Sequence, residues 1–141
     1  MTGLKTVVRR GFAGGGAATL LLAVLFAVGS GGRDGREPTT LLLAGWLAAV
    51  GLSLLLAGRR ERLTVGGRPL GWPRVAAVGI SVLAVGSGVF GLSRLSQFAV
   101  GNTRWLLTGL VTVFVLGYLV WFALECWRGG WQLDEAMFAV E

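Results

Sequence analysis

A chain of 141 residues that is 54% hydrophobic and 14% charged, with a mean hydropathy of +0.71, lies outside the composition of ordinary soluble domains. Its net charge of +6 and pI near 11.3 come from basic residues standing beside apolar stretches; they form no aromatic-interleaved patch, so nucleic acid is not the expected partner. One cysteine, Cys126, excludes an intramolecular disulfide, and the chain has no histidine, the commonest metal ligand.

The charged residues leave four uncharged stretches, 11–32, 38–58, 75–93 and 105–124. A helix rises ~1.5 Å per residue, so about 20 residues cross a hydrocarbon core while closing every backbone hydrogen bond internally. A soluble bundle helix would keep a polar face, whereas residues 106–124 are apolar nearly all round. The expected fold is all-α: an integral membrane protein of four transmembrane helices, paired as two antiparallel hairpins in one bundle, with a short amphipathic segment at the carboxyl end. The spans fall near 13–32, 39–58, 75–93 and 105–126 and make a single domain.

Along the chain, Lys5, Arg9 and Arg10 precede the apolar run 17–28, an arrangement shared by signal peptides and signal anchors. Arg9-Arg10-Gly11-Phe12 partly resembles a twin-arginine export signal, but that pathway carries folded soluble domains and three more spans follow here, so an uncleaved anchor is expected. Gly14, Gly15 and Gly16 each weaken helix by roughly 1 kcal/mol relative to alanine, which places the expected start of the span nearer Ala17. Residues 30–40, with Arg33, Asp34, Arg36 and Glu37, read as a short polar turn, and Pro38 suits the first turn of the next helix.

The second connection, 59–74, is the most basic, with Arg59, Arg60, Arg62, Arg68 and Arg74 against the single acid Glu61. Within it, residues 62–65 and 68–70 flank Gly66-Gly67 and fit either a tiny hairpin, restricted by Pro69 to edge pairing, or an irregular loop. The third connection, 94–104, holds hydrophobic Phe98-Ala99-Val100 between polar neighbours, which suits an interfacial segment. Trp72, Trp105 and Trp127 flank spans at the depth where amphipathic rings favour headgroups. In the tail 127–141, Leu133, Met137 and Val140 lie at helical spacing opposite Asp134, Glu135 and Glu141. That acidic face could meet the arginines of 59–62, for ~0–1 kcal/mol per exposed pair.

Lys and Arg near span ends number nine for the amino terminus, second loop and tail, against four for the first and third loops. The positive-inside rule therefore places both termini, the loop 59–74 and the tail in the cytoplasm, with the protein in the cell membrane. Ala27-Val28-Gly29-Ser30-Gly31 recurs at residues 84–88, an echo compatible with tandem hairpins but easily generated in a Gly- and Ala-rich chain.

Small residues recur every four positions: Gly15, Thr19, Ala23, Ala27 and Gly31 in the first span, and Gly45, Ala49, Ser53 and Ala57 in the second. Lipid tails are as apolar as leucine, so helices in bilayers associate through close contacts that such faces permit; Gly15, Ala23, Ala27, Gly45, Ala49, Ser53, Ala57 and Gly88 are the expected packing positions. No acid or base stands inside a predicted span, and carboxylate, histidine or cysteine clusters for metal, haem or ion coupling are missing from the sequence. Glu125 borders the last span, where pairing with Arg128 three residues on accounts for it. Serine nucleophiles lack an activating base. The sequence thus predicts no catalytic residue, metal or cofactor. The expected function is that of a non-enzymatic structural or accessory membrane subunit, with Arg59, Arg60, Arg62 and Arg68 contacting lipid headgroups or a partner; the partner is another membrane protein or a second copy of the chain. The alternative is a small oligomeric channel or transporter for a neutral or weakly polar solute.

Overall fold

The computed structural model describes residues 2–29 and 38–129. The expected polar turn at 30–37 and the amphipathic tail at 130–141 lie outside the described residues. The described chain is mostly helical: α1 (Thr2–Gly29), α2 (Pro38–Arg59), α3 (Trp72–Leu95) and α4 (Thr103–Arg128), with a two-stranded antiparallel sheet of β1 (Arg62–Val65) and β2 (Arg68–Gly71) between α2 and α3. All four helices are long and apolar enough to cross a membrane.

Local chemistry explains most boundaries. Pro38 opens α2, where its missing N–H costs nothing. α3 follows the extended Gly71, with Pro73 in its first turn. α4 ends at Gly129, whose left-handed φ of 81° lets its N–H return to the Glu125 carbonyl. α1 begins at Thr2 and runs unbroken through Gly14–Gly16, where the sequence suggested weakened helix. Helix propensity is a weak term, and Gly16 is buried against α2, so packing outweighs it.

The connection after α2 forms a hairpin in place of an irregular loop. Arg62 pairs with Gly71, Leu63 with Leu70, Thr64 with Pro69 and Val65 with Arg68. Gly66 and Gly67 have φ of 58° and 79°, the two positive values that a tight turn with the right-handed strand twist requires. The hairpin is tied down where the Trp72 N–H donates to the Glu61 carbonyl at 2.9 Å.

α1 packs on α2, α2 on α3, and α3 on α4. In each case the contacting residues run in opposite chain order. Gly58 meets Ala13 and Arg9, while Gly51 meets Gly16 and Leu20. Gly79 meets Ser53 and Leu54, while Gly86 lies under the Trp46 ring, whose Nε1 donates to the Val82 carbonyl at 2.8 Å. Gly91 meets Thr112, and Gly88 meets Leu116.

The interior is built of small side chains and the exterior of large ones. Ala23, Ala44, Ala57, Ala76, Ala77 and Ala84 are buried, whereas Leu42 is 73% exposed, Leu110 70% and Phe114 77%. The one cluster of larger buried residues sits at the hairpin end. There Trp72 and Cys126 are fully buried beside Ile80 and Ala123, with Phe12 at 6.1 Å from the Trp72 ring and 6.4 Å from Phe122. Trp72, expected from the sequence at headgroup depth, stands at the start of α3 as a core residue.

Candidate functional site

The hairpin end gathers the starts of α1 and α3 with the ends of α2 and α4. Gly58 allows the α1 backbone to approach at Arg9 and Ala13, which brings the first turns of α1 to the residues following α2. Arg9 Nη1 donates to Glu61 Oε1 at 2.9 Å, and Lys5 Nζ lies 3.3 Å from the same oxygen. Glu61 is about one-third exposed, so solvent screens the pairs and each contributes ~0–1 kcal/mol. Their main consequence is positional, since they tie the hairpin base to α1 and occupy the acid nearest to Arg62 in the sequence. Sequence reasoning assigned Glu61 no partner; the signal was there in the basic first turns of a helix placed on the same side.

Of the four arginines singled out from the sequence, Arg59, Arg60, Arg62 and Arg68 are all exposed. Only Arg62 lines the cleft between the hairpin and the ends of α3 and α4. This cleft, of about 310 Å³, is also walled by Arg74, Arg128, Pro73, Trp127 and Cys126. Arg74 lies with its guanidinium carbon 5.8 Å from the centre of the Trp127 ring, a cation–π distance. Arg74 and Arg128 were legible only as charges bordering spans. Nothing in their separation along the chain shows that a helix start and a helix end 54 residues apart share one wall.

Farther along α3 and α4 from the hairpin, a second concavity of about 410 Å³ runs between the two helices, floored by Ala77, Ala84 and Ala123 and rimmed by Val85, Val120 and Leu124. Ser81 is its one hydroxyl lining residue, and that hydroxyl donates to the Ala77 carbonyl of its own helix at 2.8 Å. Trp127 borders both concavities. Glu125, expected at the interface, is only 2% exposed and is not part of either wall. Its placement follows from helix rotation: Glu125 and Cys126 turn inward while Trp127 and Arg128 turn out.

The packing positions fall into two groups. Ala23, Ala57 and Gly88 are buried, and Ser53 is half-buried against the Gly79 position. Gly15, Ala27, Gly45 and Ala49 are exposed, and a methyl group added at Gly15 or Gly45 would meet nothing within 4 Å. The close approach of α1 to α2 uses Gly16, Gly51 and Gly58 in their stead, each of which would bring an added methyl onto the neighbouring helix backbone. The four-residue spacing of small residues fitted neighbouring registers almost equally well.

Among the described residues, no cluster of three or more His, Cys, Asp or Glu side chains could hold a metal ion. The arrangement is that of a helical protein with four helices apolar enough to span a membrane and one strongly basic end. The chain belongs to the family of unknown function DUF7994, whose model matches residues 7–139. No curated protein and no solved structure matches it.

Proposed function

We propose that this chain is an integral protein of the cell membrane, folded as two antiparallel helical hairpins in one bundle. Both termini and the basic hairpin face the cytoplasm. Its role is that of a non-enzymatic accessory or structural subunit whose arginine-rich face meets anionic lipid headgroups or a membrane-protein partner. The observation that carries the reading is the inverted surface: large apolar side chains point outward on all four helices, while alanine and glycine fill the contacts between them. Such a surface is unstable in water and natural in lipid. Five of the basic residues, Arg59, Arg60, Arg62, Arg68 and Arg74, stand in the connection and first turn that join α2 to α3. That side agrees with the positive-inside rule, and each arginine near an anionic surface contributes ~1 kcal/mol of attraction.

The test is mass spectrometry of the proteins and lipids that co-purify with a gently extracted, tagged chain, beside a variant with Arg59, Arg60 and Arg62 all replaced by Gln. A stoichiometric partner, or enrichment of anionic over zwitterionic lipid, that declines in the variant supports the reading. Identical profiles would count against it. Solute flux in vesicles containing this chain alone would replace it with a channel or transporter function.

A further inference from the structure

Two concavities of different character lie next to each other along α3 and α4. The outer one is basic, with Arg62, Arg74 and Arg128 on its walls; the inner one is apolar. The lining residues follow one helix face on each side: Pro73, Ala77, Ala84 on α3, and Val120, Ala123, Trp127 on α4. Trp127 belongs to both walls, so the two adjoin, the basic one at the helix ends and the apolar one farther along the same two helices.

From this geometry we infer that the two concavities act together as a trough that binds one anionic phospholipid. Its phosphate is held by Arg62, Arg74 and Arg128, and one acyl chain lies in the groove between α3 and α4. The inference rests on the membrane reading above and makes it specific to a lipid class and a place. The arginines of the cleft are not taken up by the acid at the hairpin base. Glu61 is engaged by Lys5 and Arg9, and among the described residues Arg62, Arg74 and Arg128 form no ion pair. Guanidinium groups present forked donors that match phosphate oxygens, and three from different elements can surround one phosphodiester. The length of the groove selects a lipid over a free anion. From Arg74 to Val85 the axis of α3 advances roughly 16 Å at 1.5 Å per residue, close to the ~15 Å depth of one leaflet. The groove floor is alanine, which leaves room that leucine would fill, and the exposed rim of Val85, Val120 and Leu124 supplies apolar contact along the chain.

The full-length protein in mild detergent, titrated with phosphatidylglycerol and with phosphatidylcholine of equal chain length and read by native mass spectrometry, tests this. The wild-type chain retains phosphatidylglycerol preferentially. The variant Arg62→Gln/Arg74→Gln/Arg128→Gln binds it roughly tenfold more weakly or worse, whereas Arg10→Gln/Arg94→Gln/Arg104→Gln, with equal charge removed outside the cleft, retains it. Equal losses in the two variants would overturn the site and leave the general attraction to anionic membranes standing. No lipid preference in the wild type would overturn the site together with its lipid-contacting premise. Saturation by inorganic phosphate alone, with no gain from an acyl chain, would make it an anion site and overturn the lipid assignment. A photoreactive group on the acyl chain of phosphatidylglycerol needs no variant at all. Crosslinks concentrated within 77–85 and 120–127 support the groove, and crosslinks spread over all four helices would refute it.

Discussion

Gly15 and Gly16 are adjacent, chemically identical and structurally opposite. Gly16 is buried where α1 meets Gly51 and Leu55 of α2, and Gly15 faces outward with open space around it. Gly16→Ala forces two backbones apart and is expected to destabilise the protein by about 1–3 kcal/mol, whereas Gly15→Ala leaves stability unchanged or slightly raised. Unfolding in denaturant, measured in detergent micelles, checks the pair, and equal effects would refute the assigned contact. Trp46 provides a second case. Its ring occupies the space a side chain on Gly86 would need, and its Nε1 bonds the Val82 carbonyl. Trp46→Phe removes that hydrogen bond while keeping most of the ring, so a loss of about 1 kcal/mol is expected in the same assay. The glycine spacing was visible along the chain; the choice of register was not, because one residue turns a helix by about 100° and both registers offered small side chains.

Among the elements, the β1–β2 hairpin is the one whose existence hung on two backbone angles. A side chain at φ of 79° in Gly67 costs roughly 1–2 kcal/mol. Gly67→Val is therefore expected to open the hairpin, seen as faster proteolysis within residues 62–71 and faster amide exchange, with the four helices intact. Gly66→Asn should be tolerated, since asparagine enters the left-handed region more readily than other side chains. Protease resistance equal to wild type in Gly67→Val would show that the turn carries no strain. The Gly-Gly pair made a hairpin legible as one of two options. What favoured it over an irregular loop is anchorage from outside: Glu61 held by Lys5 and Arg9, and the Trp72 N–H held by the Glu61 carbonyl. An isolated two-stranded hairpin lacks such support.

For the molecule as a whole, the proposed topology, with an even number of crossings and both ends on the cytoplasmic side, gives a labelling prediction. In oriented vesicles, a membrane-impermeant maleimide is expected to reach Thr64→Cys from the cytoplasmic side and Val100→Cys, on the 84% exposed turn between α3 and α4, from the opposite side. The native Cys126 is fully buried and should stay unlabelled until the protein is unfolded, which makes it an internal reporter of folding. Labelling of both introduced cysteines from one side would overturn the proposed topology. Four long apolar helices were legible from the spacing of charges alone, because span length and internal hydrogen bonding are properties of consecutive residues.

The four long apolar helices, the approximate limits of α2, α3 and α4, and the clustering of basic charge in the connection after α2 were determined by the sequence, since each depends on what lies within about twenty residues along the chain. Tertiary structure decided which faces meet, why Trp72 and Glu125 turn inward, and how Arg62, Arg74 and Arg128 come to share a cleft with an apolar groove below it. Those outcomes depend on the rotation of each helix about its own axis, and that rotation is set by steric fit with a neighbour distant in the chain.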